Sequence, residues 1–286
     1  MSYTDYVYET KVTVGLIKHY MDYAQEIIAY DGVNPSSFVV DLGSNDGTML
    51  KAFKESGMKV LGVEPNEHIA GIANKNHLDT ISDYFSSTVA NRINRDYGSA
   101  SIITANYMYA NIDNIIEFTE NVKTLLSTEG LFVIQTGYHP EQMAINMFDY
   151  IYHEHFSYFT VKVLRELLKN NGLELIHVSP YPAKGGSISL IAQHIGGKRV
   201  LDESVESFIN NENFTGMHDP ETYIRFANEI DLRKKDLLNY LQNIQSSGHV
   251  IVGYGASHST TTLLHHFEMG DYIDYLVDDN PIKHGL

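Results

Sequence analysis

Short apolar runs alternate with segments of helical periodicity along most of the chain. The apolar runs predict strands at 38–40, 59–63, 80–82, 100–105, 131–135 and 173–178. Apolar residues that recur every three or four positions predict helices at 14–28, 48–56, 67–76, 86–96 and 112–128. Strands that alternate with helices in this way are typical of a parallel sheet covered by helices on both faces. The expected fold class is therefore α/β.

A second α/β pattern follows a long amphipathic helix. Residues 220–247 carry apolar positions at helical spacing, and a strand, a Gly-x-Gly turn, a helix and a further strand follow between 249 and 277. The expected organisation has four parts: a tyrosine-rich leader and helix at 1–35, a main domain at 36–200, a helical connector at 201–247 and a truncated Rossmann-like C-terminal domain at 248–286.

The turn after the first strand carries candidate cofactor chemistry. D-L-G-S-N-D-G occupies 41–47, and the second strand ends in Glu64. Glycines at such a turn let the backbone approach a nucleoside-containing ligand, and an acid after the second strand can accept both ribose hydroxyls. An ordinary strand–turn–helix with no ligand is the alternative.

The spacing of this turn discriminates between cofactors. A dinucleotide turn would read G-x-G-x-x-G and leave the helix N-terminus free for a pyrophosphate. Here the pattern is Gly43-x-x-x-Gly47, and Asp41 and Asp46 would repel a pyrophosphate and suit a cationic ligand without phosphate. S-adenosylmethionine (SAM) is such a ligand, and D-L-G-x-x-x-G followed by Glu64 resembles motifs I and II of the class I SAM-dependent methyltransferases. The expected fold is their Rossmann-like domain with a partial second Rossmann-like α/β domain.

Polar residues follow four of the predicted strands. Because parallel sheets bind ligands beyond the carboxyl ends of their strands, these residues should converge on one crevice. Asp83 and Tyr84 could meet the edge and the face of the adenine, although an exposed acid and a packing tyrosine are an equally simple interpretation. The predicted cofactor-binding residues are Asp41, Gly43, Asn45, Asp46, Gly47, Glu64, Pro65, Asp83, Tyr84 and Asn106.

A second informative stretch, 148–159, is rich in histidine and tyrosine. His153 and His155 with Glu154 could ligate a metal, but the H-E-x-x-H spacing is absent and no further ligand set is evident, so no metal site is predicted. A histidine beside a carboxylate is also a general base whose basicity its partner sets. Acid–base chemistry is the favoured interpretation, and a structural aromatic cluster is the alternative.

In chain order, these motifs resemble the sugar C-methyltransferases of deoxysugar biosynthesis. The resemblance is carried by D-Y-x-Y at 5–8, DLGSNDGTML at 41–50, V-E-P at 63–65, YHEHFSYF at 152–159, G-G-S at 185–187 and VGYGAS at 252–257. Members of this family methylate C3 of nucleotide-activated 4-keto-6-deoxy sugars. The resemblance implies that a base removes the C3 proton and that the resulting enolate attacks the methyl group of SAM.

The resemblance also implies roles for individual residues. His155 and Glu154 correspond to the proton-abstracting pair, and Tyr152 and the leader residue Tyr6 would bind substrate or steady the enolate oxygen. The turn at 253–255 would meet the nucleotide phosphates, with a packing role as the alternative. The implied substrate-binding residues are Tyr8, Asn111, His153, Lys184, Gly185, Gly186, Ser187, Gly253, Tyr254 and Gly255.

The chain departs from the family in four respects. The family's N-terminal cysteine-rich zinc module is absent, and the chain stops at 280–286, where the family's C-terminal domain continues, which suggests a truncated or shortened relative. Asn111 stands where the family has a histidine, and an amide does not take up a proton near neutral pH. Lys184 and Ser189 stand where a histidine and an arginine are common. A sugar O-methyltransferase and a SAM- or sugar-binding relative without turnover are therefore the alternatives.

Composition and charge bear mainly on partners and location. The chain has 36 acidic and 20 basic residues, a formal net charge of −16 and no basic run, which argues against a nucleic-acid substrate. It has no cysteine, and hence no disulfide or thiolate metal site. Without a signal peptide or a long apolar stretch, no membrane association and a cytoplasmic location are expected. The expected partner is a nucleotide-sugar small molecule, bound by a monomer or homodimer.

Overall fold

The structure is a computed structural model that describes residues 10, 15–30, 34, 36–280, 283 and 285. Its helices are α1 Leu16–Ala29, α2 Thr48–Glu55, α3 Glu67–Lys75, α4 Ser87–Tyr97, α5 Ile115–Leu125, α6 His139–Ala144, α7 Val161–Asn170, α8 Glu203–Phe214, α9 Pro220–Ser246 and α10 His258–His266. Its strands are β1 Phe38–Leu42, β2 Lys59–Val63, β3 Thr80–Ile81, β4 Ala100–Asn106, β5 Leu126–Gly137, β6 Leu173–Tyr181, β7 Ser187–His194, β8 Val252–Tyr254 and β9 Tyr275–Val277. Short 3-10 turns lie at Tyr109–Asn111, Phe148–Tyr150 and Ala183–Gly185.

Seven strands form one sheet in the order β3-β2-β1-β4-β5-β7-β6. Strands β1 to β5 are parallel, and β7 runs antiparallel between β5 and β6. The order reverses beside β1, the position at which open α/β sheets bind ligands. The predicted α/β class is confirmed.

The apolar pattern predicts every strand of this sheet except β7. All of β7 except His194 is buried, but serines alternate with its apolar residues and weaken the apolar run. Both serines have partners in the structure: Ser187 Oγ donates to the Ala183 carbonyl at 2.8 Å, and Ser189 Oγ lies 2.9 Å from the Tyr23 hydroxyl. Because both serine hydroxyls are hydrogen-bonded, the strand can be buried despite its polar positions.

The boundary between α5 and β5 differs from the prediction of a helix to 128 stopped by Gly130. Helix α5 ends at Leu125, and β5 begins with the next residue. A Cβ on Gly130 would lie 2.7 Å from Leu126 Cδ1 and 3.0 Å from the Ala100 carbonyl oxygen. Glycine therefore lets β5 pass close to the start of β4, where the register between the two strands shifts.

Alternate strand residues enter two apolar layers. On one face, Val39 and Ile102 pack with Tyr23 of α1 and Phe53 of α2. On the other face, the neighbouring strand residues pack with α4, α5, α7 and α8. The period-two alternation of a strand buried on both faces produces this arrangement, and it leaves the carboxyl-end loops free to form a site.

A smaller unit follows, built from α9, α10 and the parallel pair β8–β9. Its apolar cluster contains Ile230, Leu241, Phe267 and Met269, and Phe148 of the main unit packs against it. Helix α8 lies within the predicted connector at 201–247, but it packs into the main core through Val205 and Ile209. The four-part division of the chain stays a prediction. No helix among the described residues is both long and apolar enough to cross a membrane.

Candidate active site

A cavity of about 470 Å³ opens at the carboxyl ends of β1, β2 and β4. Residues 107–121 after β4, the start of α1, Thr10, Phe156 and Lys184 complete its wall. The predicted cofactor and substrate residues that line it are Asp41, Gly43, Asn45, Glu64, Pro65, Tyr84, Asn106, Asn111 and Lys184.

Asp41 is a buried carboxylate at the end of β1. Its Oδ1 accepts hydrogen bonds from Thr104 Oγ1 at 2.6 Å and Asn106 Nδ2 at 3.4 Å. Burial nevertheless raises the pKa of the Asp41 carboxyl to about 7. The carboxamide oxygen of Asn106 is buried, with no hydrogen-bond partner among the described residues. The two side chains together offer acceptors for a cationic group of a ligand.

Glu64 is held rigidly at the end of β2. Its two carboxylate oxygens accept the backbone N–H groups of Asn66 at 2.9 Å and Asn45 at 3.0 Å. Burial raises the pKa of Glu64, and these two hydrogen bonds oppose that rise. The second bond also ties the turn after β1 to the end of β2. A carboxylate oxygen has capacity for further hydrogen bonds, so Glu64 can still accept ribose hydroxyls.

The turn between β1 and α2 leaves backbone exposed to the cavity. Gly43 has φ +69°, and a Cβ there would lie 3.0 Å from Met108 Cγ. Asn45 has φ +49°, and its Oδ1 accepts Thr10 N at 2.8 Å and Thr10 Oγ1 at 3.1 Å. The buried hydroxyl of Ser44 has no partner among the described residues. A glycine-bearing turn, a fixed acid and unused buried acceptors fit SAM, which carries a ribose and cationic groups.

Three of the predicted cofactor residues lie outside this cavity lining. Asp46 Oδ1 accepts Thr48 N at 3.1 Å and Thr48 Oγ1 at 2.6 Å, so Asp46 holds the first residue of α2 from just outside the helix. Gly47 has φ +82° and packs against Leu78. Asp83 is exposed and accepts the N–H of Tyr84. Contact of Asp46, Gly47 and Asp83 with the cofactor remains a prediction.

The stretch 152–157 lies against the wall of the cavity. The N–H groups of Phe156 and Ser157 donate to the Ala110 carbonyl at 2.9 and 3.1 Å, which joins this stretch to the 3-10 turn that carries Asn111. Phe156 lines the cavity, whereas Tyr152, His153, Glu154 and His155 do not. The buried carboxamide oxygen of Asn111 has no partner in the described part of the chain.

His155 has a defined tautomer. Its Nδ1 lies 3.0 Å from the Tyr150 carbonyl oxygen, which can only accept, so Nδ1 carries a proton and the neutral ring has its lone pair on Nε2. Burial lowers the pKa of His155, and the charge of the buried Glu154 opposes this. The Tyr152 ring packs 4.5 Å from the His155 ring, between centroids, and His153 is exposed.

Lys184 reaches the cavity from the loop between β6 and β7. Its Nζ lies 3.9 Å from the centroid of the Tyr107 ring, a cation–π contact. Burial lowers the pKa of the Lys184 ammonium to about 8. Tyr107 was not a sequence candidate; the available signal is its position directly after Asn106, at the end of a parallel strand.

The glycines next to Lys184 shape the loop. A Cβ on Gly185 would lie 2.1 Å from Met147 Sδ, and one on Gly186 would lie 2.6 Å from Glu141 Cβ. Ser187 is fully buried and hydrogen-bonded within the loop. Gly185, Gly186 and Ser187 do not line the cavity, so their contact with a substrate remains a prediction.

The turn at 253–255 lies in the C-terminal unit and not in the cavity. Gly255 N donates to the Val277 carbonyl at 2.7 Å, and Ala256 N donates to Asp278 Oδ2 at 2.8 Å. A carboxylate thus bonds the Ala256 amide of the turn predicted to meet phosphates. A Cβ on Gly253 would meet Leu276, and Tyr254 is exposed. Tyr6 and Tyr8, predicted on the acceptor side, lie outside the described residues.

Two protein-family models match the chain. One, described as a methyltransferase domain, matches residues 18–178, and the other, described as a C-methyltransferase C-terminal domain, matches residues 182–286. The C-methyltransferase NovU of Streptomyces niveus is 29% identical over 281 residues, which are 98% of this chain and 67% of that protein. The chain thus spans about two thirds of the length of this relative.

Solved structures share the fold at low sequence identity. The magnesium protoporphyrin IX methyltransferase of Synechocystis PCC 6803, with bound SAH, matches with a TM-score of 0.50 at 13% identity, over 62% of this chain and 84% of that one. An S-adenosylmethionine-dependent methyltransferase of Clostridium acetobutylicum matches with a TM-score of 0.50 at 10% identity, over 62% of this chain and 92% of that one. These matches show that the fold is shared.

Proposed function

The chain belongs to the methyltransferase family whose model matches residues 18–178, its cofactor is SAM, and we propose that it methylates C3 of a nucleotide-activated keto-deoxysugar. The resemblance to C-methyltransferases is confirmed by the match of residues 182–286 and by the similarity to NovU. The nucleotide sugar and the methylated position are the proposed part, and they rest on the motifs at 152–159 and 185–187.

One observation carries the proposal: residues predicted to bind the cofactor and residues predicted to bind the acceptor line a single cavity. Asp41 and Glu64 lie on its cofactor side, and Asn111 and Lys184 reach it from two other loops. Methyl transfer requires donor and acceptor to be held next to each other, because orientation supplies much of the rate. A shared cavity with an ionisable residue on the acceptor side supports that requirement.

The cofactor side would hold SAM through groups already oriented by the fold. Asp41 and Asn106 offer acceptors for its cationic groups, Glu64 for its ribose hydroxyls, and Tyr84 a ring at the rim for its adenine. When bound, SAM would supply a methyl group on a positively charged sulfur, whose C–S bond breaks as a carbanion takes the methyl group and S-adenosylhomocysteine leaves.

His155 is the proposed base. Its Nε2 takes a proton from the acceptor carbon: the C–H bond breaks, an N–H bond forms, and the electron pair moves toward the neighbouring carbonyl oxygen. The bond from Nδ1 to Tyr150 holds the ring in the tautomer this step requires, and Glu154 stabilises the resulting imidazolium by its charge. Tyr152 packs on the imidazole, and Tyr6 and Tyr8 are proposed to contact the acceptor.

The test is incubation with SAM and pairs of nucleotide sugars that differ only in a keto or a hydroxyl group at C4. We expect methylation of the keto form alone, with NMR placing the methyl group on C3. Without SAM, the C3 proton of the keto form should exchange with deuterium from D₂O. Transfer to a hydroxyl of either sugar, or SAM binding without any transfer or exchange, would overturn the proposal.

Sugar O-methylation is the second candidate, and Asn111 favours it. A carboxamide at the position where the resemblance implies a histidine cannot remove a carbon-bound proton. Its oxygen, which has no partner among the described residues, can accept a hydrogen bond from an acceptor hydroxyl. In that case His155 would deprotonate the hydroxyl. A methyl group on oxygen and no deuterium at C3 would favour this reaction.

A further inference from the structure

Lys184 is a cation that has no carboxylate counter-ion among the residues that the structure describes. Within the described part of the chain, no carboxylate oxygen lies within 4.0 Å of its Nζ, whereas the surface lysines Lys18, Lys198 and Lys234 each have such a partner. Its contact is instead the face of the Tyr107 ring. A partly buried ammonium that faces a cavity over an aromatic ring is available to a ligand.

The backbone commits Lys184 to this position. Lys184 has φ 51° and ψ 40°, and Tyr107 has φ 54°; both lie in the left-handed region that residues other than glycine seldom occupy. The close packing of Gly185 on Met147 and of Gly186 on Glu141 fixes the loop that follows. Strained conformations on both sides of one contact are typical of functional sites and not of a solvated surface lysine.

The charge of Lys184 acts across the acceptor side of the site. Burial is the main cause of the lowered pKa of His155, and the charge of Lys184 lowers this pKa further. The carboxylates that line the same cavity do not pair with Lys184: Asp41 is bonded to Thr104, and Glu64 to backbone amides. Among the described residues, the titratable groups that line the cavity or interact with this loop are Tyr20, Asp41, Glu64, Tyr84, Tyr107, Asp113, Glu117, Glu141 and His155.

We propose that the Lys184 ammonium binds the carbonyl oxygen of the acceptor and stabilises the negative charge that develops there when His155 deprotonates the adjacent carbon. This rests on the proposed function and deepens it, because it requires a carbonyl group next to the methylated carbon. Donors placed where charge develops in the transition state are among the largest contributions to enzymatic rates. Lys184 is thereby assigned to catalysis, beyond substrate binding.

The first test compares Lys184→Met, which removes the charge, with Lys184→Arg, which keeps it. We expect Lys184→Met to slow deuterium exchange at the acceptor carbon and methyl transfer by about 10²-fold, with unchanged SAM affinity by calorimetry. Lys184→Arg should retain exchange within about tenfold of wild type. Lys198→Met is a matched surface control that should behave as wild type. Exchange by Lys184→Met at the wild-type rate would overturn the assignment.

The pH profile separates a charged role from a structural one. Because Lys184 acts as a cation and its pKa is about 8, exchange by wild type should fall as pH rises through about 8. An arginine stays protonated there, so the fall should disappear in Lys184→Arg. A fall that persists unchanged in Lys184→Arg would contradict the inference. If wild type exchanges no keto-sugar proton at any pH, the proposed function itself fails. That outcome is distinguishable from a failure of the Lys184 assignment alone, in which wild type still exchanges the proton.

A second readout needs no acceptor. Labelling of amines with acetic anhydride over a pH series, quantified by peptide mass spectrometry, gives the pKa of Lys184 with the exposed Lys18 as internal reference. We expect Lys184 to become reactive near pH 8. A Lys184 that stays unreactive until well above pH 8 would show that it does not occupy the described environment and would overturn the inference.

Discussion

Replacement of Asp41 by asparagine should stabilise the ligand-free protein above pH 7 and weaken SAM binding. Asp41 is 3% exposed, and burial raises the pKa of its carboxyl from 3.8 to about 7 despite the hydrogen bonds from Thr104 and Asn106. Each pKa unit corresponds to about 1.4 kcal/mol. Above pH 7, a charged Asp41 therefore costs the folded protein about 4 kcal/mol relative to the unfolded chain.

This cost has a definite dependence on pH. Because the folded-state pKa lies above the unfolded-state value, the folded protein binds more protons between about pH 4 and 7, and wild-type stability falls as pH rises through that range. Asparagine keeps an acceptor oxygen for Thr104 and carries no charge, so the variant lacks this dependence. The gain in the free energy of unfolding should be smallest below pH 4 and reach about 4 kcal/mol above pH 7.

Urea denaturation of wild type and Asp41→Asn from pH 4 to 8 measures the effect. Asp79→Asn, at an exposed aspartate, is the matched control and should change stability by less than about 0.5 kcal/mol. Calorimetry at pH 8 should show weaker SAM binding by Asp41→Asn, because a neutral side chain attracts a cationic ligand less. A variant no more stable than wild type at pH 8 would refute the reasoning from burial, and unchanged SAM affinity would refute the assignment of Asp41 to the cofactor.

Three further changes test other parts of the site. Glu64→Ala leaves the N–H groups of Asn45 and Asn66 without their acceptor, so calorimetry should show at least about tenfold weaker SAM binding; equal affinity would contradict the ribose assignment. His155→Asn should abolish deuterium exchange at C3 without changing SAM affinity, and wild-type exchange should decline as pH falls through the lowered pKa of His155; exchange by the variant would remove His155 from the mechanism. Gly185→Ala should displace the Lys184 loop and reduce methyl transfer in an activity assay, because the added Cβ would clash with Met147. Gly196 has the same φ of +77° but open space around it, so Gly196→Ala should not reduce methyl transfer. Equal effects of the two substitutions would mean that backbone strain and not packing is responsible.

The cofactor side was largely predictable from the sequence. Asp41, Glu64 and Asn106 each follow an apolar run, and the carboxyl ends of parallel strands meet at one edge, so their convergence follows from the strand order. Asp46 shows the limit of this reasoning. An acid placed just before a helix suits both a ligand and a helix cap, and only the structure reveals its bonds to Thr48.

The acceptor side was less predictable, because it depends on contacts between distant loops. Lys184 meets Tyr107 only because β7 returns antiparallel beside β5, and the alternating serines of β7 conceal that strand. The positive φ values of both residues have no signal in the sequence, since neither is a glycine or an asparagine. The resemblance marks Lys184 as a departure, but the ring beneath its ammonium follows only from the structure.

The C-terminal unit contacts the segment 148–155, which carries the residues proposed for the acceptor side. Phe148 stacks on Phe267 with 5.0 Å between ring centroids, and Thr262 Oγ1 donates to the Ile151 carbonyl at 3.1 Å. On its other side, this segment leads directly into the residues bonded to Ala110, next to Asn111. His155 and Tyr152 therefore lie between two points of attachment. Ile151, before them, is bonded to Thr262 of α10, and Phe156, after them, is bonded to Ala110 in the loop that follows β4. Asp41 is held by residues of β4, and Glu64 is held by backbone amides of the turns after β1 and β2. We therefore expect the second unit to affect where the proposed acceptor is bound and deprotonated more than how the cofactor is held.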